Sequence, residues 1–224
     1  MSNVKPWHQE KLIDRLKVER GGEDEAAFRE FAGRARKAGN PKFICDACFI
    51  EEKGPDSVTF GGKVFRSRVL RANLEKVERV FPYIATCGRE FDELVPTNDD
   101  FLLAYWLDTI KEAALGAATN ALFSFLAKRH GVRKTSSMNP GSGPAETWPI
   151  QQQKELFAVF GDVEGKIGVK LTDSFLMVPN KTISGIAFPT ETDFVTCSLC
   201  PREVCPNRRA AYDAGKAASF GKDG

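Results

Sequence analysis

Asp100-Phe-Leu-Leu-Ala-Tyr-Trp-Leu-Asp-Thr-Ile110-Lys-Glu-Ala113-Ala114-Leu-Gly116-Ala117-Ala118-Thr-Asn120-Ala-Leu-Phe-Ser-Phe-Leu-Ala-Lys-Arg-His130 is the stretch on which the fold turns. Ahead of it, Thr97-Asn98-Asp99-Asp100 supplies capping and acidic residues, which satisfy the free N–H groups of a helix start and sit well with its dipole. Gly131 follows as a stop, because glycine accepts the left-handed backbone that ends a helix. The pattern predicts one long helix over about 98–130. Its middle is rich in small residues, which admit a second backbone beside a central core helix or leave room for a small molecule.

On both sides of this helix the pattern changes. Leu12, Ile13 and Leu16, then Phe28, Phe31, Ala32 and Ala35, recur at three- and four-residue spacing and mark two helices parted by Gly21-Gly22. Residues 42–71 read as strands, with Val58-Thr-Phe60 and Lys63-Val-Phe65 flanking Gly61-Gly62, a hairpin signal. An apolar strand over 80–86 ends at Cys87-Gly88. Past the long helix, Ser136-Ser-Met-Asn-Pro140-Gly141-Ser-Gly143-Pro144 is too rich in glycine and proline for regular structure. A short helix over 150–160 follows, then strand-like runs at 167–171, 174–178 and 182–188, with Phe175 and Met177 as core residues, and a terminal helix over 207–217. Strands and helices are mixed rather than alternating. The fold class expected is α+β, an antiparallel twisted sheet packed with helices. One compact unit would comprise a helical segment at 1–40, a core at 41–190 and a cysteine-rich segment at 191–224.

The 224 residues suffice for a core that needs no disulfide staples. With 32 basic against 30 acidic residues, the net charge of +2 argues against a nucleic-acid surface. No apolar run reaches the roughly 18 residues of a membrane span, and Met1-Ser-Asn-Val-Lys-Pro-Trp-His lacks a signal-peptide apolar region. A cytoplasmic protein is expected, with neither nucleic acid nor membrane as partner. In a reducing compartment its six cysteines are metal-bound or free.

Three of them form Cys197-Ser-Leu-Cys200-Pro-Arg-Glu-Val-Cys205-Pro. Thiolates three residues apart reach one metal from a single turn, and the third closes a face of the same site. Iron–sulfur clusters and zinc both accept such spacing. The fourth ligand would be Cys87, delivered from a strand end, one of Cys45 and Cys48, which alternation sends to opposite sheet faces, or a non-cysteine group. Free thiols are the alternative. Of the two histidines, His8 and His130, the latter sits at a helix end where positive charge suits the dipole. No Ser-His-Asp set and no phosphate-binding loop is present, and both Gly-Gly pairs are turns. Lys181, Arg208 and Arg209 are either solvated charges or contacts to an acidic partner or a corrinoid tail.

An ordered set of motifs covers roughly residues 40–190. It comprises Met138-Asn-Pro140-Gly141-Ser142, Trp148-Pro149 with Gln153 and Leu156-Phe157, Ile167-Gly-Val-Lys-Leu171-Thr, and Ser174-Phe-Leu-Met177-Val-Pro179-Asn-Lys181-Thr-Ile-Ser184-Gly185-Ile186. With these the chain resembles the reactivation domain of vitamin B12-dependent methionine synthase, and more closely the stand-alone bacterial proteins related to it. The resemblance implies a role in corrinoid-dependent methyl transfer. In that family the domain presents the methyl group of S-adenosylmethionine to a cobalt that has lost an electron, and an external donor returns the electron.

By this resemblance the ligand would lie among Pro140, Gly141, Ser142, Lys181, Ser184 and Gly185, beside the small-residue face of the long helix. In the methionine synthase domain the turn reads Pro-Gly-Tyr with an arginine shortly before it. Here Ser142 takes the tyrosine position, the nearest arginine is Arg133, and Asn120 stands where an acidic residue is frequent. These departures imply weak or absent S-adenosylmethionine binding.

The cysteine run is absent from that domain. A redox cluster suits a corrinoid that needs one electron, whereas zinc has no redox chemistry. The expectation is an iron–sulfur cluster on Cys87, Cys197, Cys200 and Cys205, with zinc as the alternative. The chain would be an accessory protein that docks on a corrinoid-binding protein or methyltransferase, with a ferredoxin or flavodoxin as electron donor. The alternatives are an S-adenosylmethionine-dependent reductive methylase subunit and a zinc-stabilised binding module.

Overall fold

The computed structural model describes residues 4, 7–96, 100–132, 134–190, 194–205 and 208–221. The caps expected at Thr97, Asn98 and Asp99, and the positions Arg133 and Asn207, lie outside the described residues.

The two N-terminal helices are α1 (Gln9–Leu16) and α2 (Glu23–Ala38). Four strands follow: β1 (Lys42–Cys45), β2 (Cys48–Lys53), β3 (Ser57–Phe60) and β4 (Lys63–Arg66). Gly61 and Gly62 have φ of 57° and 64°, the pair of left-handed residues that matches a two-residue turn to the twist of its strands. Then come α3 (Arg68–Asn73), β5 (Arg79–Thr86) and the long helix α4 (Phe101–His130). Asp100 caps α4 by accepting the Leu103 N–H at 2.9 Å, and Gly131 ends it with φ 67°. The remaining elements are β6 (Thr135–Met138), α5 (Gln153–Phe160), α6 (Val163–Ile167), β7 (Lys170–Leu171), β8 (Met177–Val178), β9 (Thr182–Pro189) and α7 (Ala214–Gly221).

The main sheet has the order β4-β3-β2-β5-β9-β6, with β1 on the same edge of β5 as β2, and all its pairings are antiparallel. β1 and β2 act as one broken strand, since Cys45 faces Tyr83 and Cys48 faces Val80 in an unshifted register. The break falls at Asp46-Ala47. The Asp46 N–H donates to the Pro82 carbonyl at 3.1 Å, and proline has no N–H to return the bond. A proline inside a central strand thus interrupts its neighbour and not itself.

Side chains of β5 alternate between two layers. Phe81 and Tyr83 meet Leu122 and Leu126 of α4, together with Ala187 of β9. Val80 packs on the other side with Leu70, Trp148, Leu156, Ile186 and Phe188, and Ile84 packs with Phe157, Phe160 and Val163. The first half of α4 is clasped by the N-terminal helices: Trp106 meets Phe28 edge-on at 5.3 Å and lies 6.5 Å from Phe31. The sheet is therefore enclosed between helices, the α+β arrangement expected.

Several local expectations are corrected. Residues 135–138 form an edge strand despite their polar Thr-Ser-Ser, because β9 supplies the pairing. The run at 167–171 shrinks to Lys170–Leu171, with Ile167 ending α6, and the run at 174–178 shrinks to Met177–Val178. Phe175 is not a core residue: it has φ 62° in the turn between β7 and β8 and is only half-buried. Among the described residues the terminal helix is Ala214–Gly221, so it begins later than the expected 207–217. His130 serves α4 by packing, with its ring 4.8 Å from that of Phe81. Burial, then Arg79 and Arg129, lower its pKa, and Lys128 and Arg129 stand beside it in the last turn.

Trp106→Ala is expected to cost about 3–5 kcal/mol, since a large aromatic leaves a cavity between three helices. Asp100→Ala removes one cap and is expected to cost about 1 kcal/mol. Urea denaturation of both variants checks the difference; equal costs would refute the central place of Trp106.

Candidate functional site

Asn139, Pro140, Gly141 and Ser142 form a type II turn. Pro140 presets one corner, Gly141 takes φ 77° at the other, and the Ser142 N–H donates to the Asn139 carbonyl at 3.1 Å. The Gly141 N–H is used internally, donating to the Trp148 carbonyl at 2.8 Å. The turn leaves the end of β6, where Met138 is paired with Ile186 of β9.

Asn139 ties the turn to the sheet. Its Nδ2 donates to the Ser184 carbonyl at 2.6 Å and to the Tyr83 hydroxyl at 2.9 Å. Gly185, directly opposite Tyr83, makes this crossing possible. A Cβ there would stand 2.4 Å from the Met138 carbonyl oxygen and 2.5 Å from Asn139 Nδ2. Tyr83 is buried, 1 % exposed, with its ring 5.9 Å from that of Phe123 on α4. Burial raises its pKa, against the lowering effect of Asn139, Ser137 and the Arg209 charge.

The expected ligand residues are gathered only in part. Pro140, Gly141, Ser142 and Gly185 lie together with the Ser184 carbonyl. The Ser184 hydroxyl lies elsewhere, donating to Gln153 Oε1 of α5 at 2.5 Å. Lys181 precedes β9 and reaches Asp108 of α4 at 2.9 Å. Ala113, Gly116, Ala117 and Asn120 of α4 face α1 across a groove, whereas Asp108 reaches Lys181 and Phe123 meets Tyr83.

The cysteine segment lies against the turn's loop. Ser136 Oγ of β6 donates to the Phe194 carbonyl at 3.0 Å, and a Cβ on Gly143 would lie 3.0 Å from Thr196 Cγ2. Thr196–Leu199 forms a single 3-10 turn, and Leu199 is buried with Trp148 and Phe188. Arg208 is half-buried, and the loop's own carbonyls engage it. Its guanidinium donates to the carbonyls of Cys197 at 3.4 Å, Ala210 at 3.1 Å and Cys200 at 3.3 Å, and also to that of Arg202. At Cys197, burial raises the thiol pKa, but the Arg209 backbone N–H, the Arg209 guanidinium and the Ala210 N–H outweigh it and hold the value below the usual thiol range.

All six cysteines are free thiols. Cys87 is fully buried with Phe91 and Trp106, its thiol directed to the Gly88 carbonyl at 3.4 Å. Cys45 packs with the Tyr83 cluster and Cys48 with the Val58 and Phe60 cluster, on opposite faces as alternation requires. Burial pushes the Cys45, Cys48 and Cys87 thiols up to about 11. Among the described residues no three His, Cys, Asp or Glu side chains converge to hold a metal, so the cysteines as placed do not fit a four-thiolate site.

Sequence reasoning missed Tyr83, Asn139 and Arg209 as a group. Tyr83 carries the one hydroxyl in the apolar run of β5 ahead of Thr86, the only signal for it. Nothing in the pattern links Arg209 to either partner.

No family model and no curated protein matches the chain. Among solved structures, its fold is similar to that of the MetH reactivation domain bound to AdoHcy. The TM-score is 0.56 at 15% identity, over 81% of this chain and 70% of that one. At this identity the likeness is one of fold, and it agrees with the α+β arrangement and with the resemblance read from the motifs. No helix among the described residues is long and apolar enough to cross a membrane.

Two outcomes are expected. Gly185→Ala pushes a methyl into the Asn139 crossing and should free the Tyr83 hydroxyl, costing about 1–3 kcal/mol in thermal or chemical unfolding. A variant as stable as the parent would refute the crossing. In alkylation followed by mass spectrometry, Cys197 should react at a lower pH than Cys45, Cys48 and Cys87. Its thiolate, favoured in the folded state, is lost only as pH falls through its depressed pKa. Arg209→Ala should shift its labelling to higher pH; an unchanged profile would remove Arg209 from the cradle.

Proposed function

We propose that this chain is an accessory protein for corrinoid-dependent methyl transfer. It docks on a cobalamin-binding partner and assists the return of Co(II) to an active state. The observation that carries the reading is the likeness of fold to the MetH reactivation domain, together with an intact Pro140-Gly141 turn tied to the sheet through Asn139. The cobalt, the methyl group and the electron are supplied by the partner's corrinoid, by S-adenosylmethionine and by a donor such as a ferredoxin or flavodoxin. The chain's own residues contribute placement. Asn139, Tyr83 and the Ser184 carbonyl hold the turn rigid, which a positioning device requires.

The AdoHcy bound to the MetH domain favours a second reading, in which the chain is itself the S-adenosylmethionine-dependent reductive methylase subunit. Against it stand Ser142 in the tyrosine position, Asn120 in the acidic one, and the missing arginine. Weak or absent binding of the cofactor is the expectation carried forward. An iron–sulfur cluster or zinc on Cys197, Cys200 and Cys205 would need the loop to reorganise around the ion, so no step of the proposal passes through either.

The test is to mix the chain anaerobically with a purified corrinoid methyl carrier in its Co(II) form, a chemical reductant and S-adenosylmethionine. The proposal expects a complex on size-exclusion chromatography and loss of Co(II) absorbance at least about tenfold faster than with reductant alone. The absence of both the complex and the acceleration would overturn it. Tight stoichiometric binding of S-adenosylmethionine by the isolated chain in calorimetry would favour the second reading instead.

A further inference from the structure

The groove between α1 and α4 lies apart from the Pro140-Gly141 turn on which that reading rests. It encloses about 750 Å³, the size range of small-molecule sites. Ala113, Gly116 and Ala117 of α4 and Leu12 of α1 line it, with Trp7 and Phe125 as aromatic walls. Its charged lining is of one sign: Lys11, Arg15 and Lys128, with His8 beside them and no carboxylate. Arg15 is paired with Glu112 at 2.7 Å, but Lys11 and Lys128 have no carboxylate partner among the described residues.

Packing does not account for the small residues here. Glycine and alanine on a helix face ordinarily admit a neighbouring backbone. At Gly116 none comes among the described residues, and an added Cβ would meet none of them within 4 Å. A glycine in the exposed middle of a long helix costs about 1 kcal/mol relative to alanine, so the open space is kept at the helix's expense. Open volume, aromatic walls and two exposed ammonium groups together define what would fit.

We propose that the α1–α4 groove binds an anionic small molecule with a planar aromatic body. The rings lie over the Ala113–Ala117 floor against Trp7 or Phe125, and the anion meets Lys11 and Lys128. Indole and phenyl rings offer flat apolar surface, and two ammonium groups in a confined groove attract negative charge more strongly than in open water.

Anilinonaphthalene sulfonate is a probe of this class, and phenylnaphthylamine is its uncharged counterpart. Titrated against the full chain by fluorescence, the sulfonate should saturate a single site, and the uncharged probe should bind at least about tenfold more weakly. Gly116→Leu fills the groove at a position with room for it and replaces a poor helix former. It should abolish the site while leaving the melting temperature equal or higher. Lys11→Glu with Lys128→Glu, both exposed, should weaken the sulfonate about tenfold or more and leave the uncharged probe unchanged. Absence of a saturable site overturns the proposal. So does equal affinity for the two probes, or a signal that survives Gly116→Leu. None of these outcomes depends on a corrinoid partner.

Discussion

Seven of the eight residues of β5 are buried, and the rest of the molecule is arranged to satisfy that strand. Its backbone groups cannot reach water, so strands must flank it on both sides: β1 and β2 on one, β9 on the other. Its side chains need apolar cover on both faces, supplied by α4 on one and by α5, α6 and the Trp148 region on the other. Pro82 sets a local exception. Lacking an N–H, it leaves Asp46 half-paired, and the partner strand divides there into β1 and β2.

The turn at Pro140-Gly141 inherits its position from the same strand. β6 pairs with β9, β9 pairs with β5, and Asn139 closes the set by reaching across Gly185 to Tyr83. A buried hydroxyl without a partner would cost about 1–3 kcal/mol, so this bond holds the turn in register with the sheet's centre. Arg209 acts on both Tyr83 and Cys197, which joins the cysteine segment to the same group. Two features far apart in sequence, the glycine turn and the cysteine run, thus form adjoining walls.

The six thiols divide by environment. Cys45, Cys48 and Cys87 are held protonated by burial, each in its own apolar cluster. Cys197 sits in a cradle of N–H donors that favours its thiolate. Arg208, meanwhile, draws four carbonyl groups of the loop inward, so the loop is organised around a guanidinium. Among the described residues no metal ligand set is assembled within the loop.

The sequence by itself determined the elements whose signals are local. The α4 stop at Gly131, the periodicity of α1 and α2, the Gly61-Gly62 hairpin and the apolar run of β5 each depend on residues within a few positions of one another. The same holds for the opposite orientations of Cys45 and Cys48, which follow from strand alternation, and for the α+β class that these elements add up to. The tertiary structure decided what depends on distant partners. Thr135–Met138 is a strand because β9 is there to pair with it. The small face of α4 opens on α1 and not on the turn because Leu122 and Leu126 take the sheet side, against Phe81 and Tyr83. Ser184 turns its hydroxyl to Gln153 because the residues of β9 alternate between layers, and Cys87 stays within the Phe91 and Trp106 cluster because its strand ends there. Spacing along a chain reports which groups share a turn or a face; which faces meet is settled only when the whole core is packed.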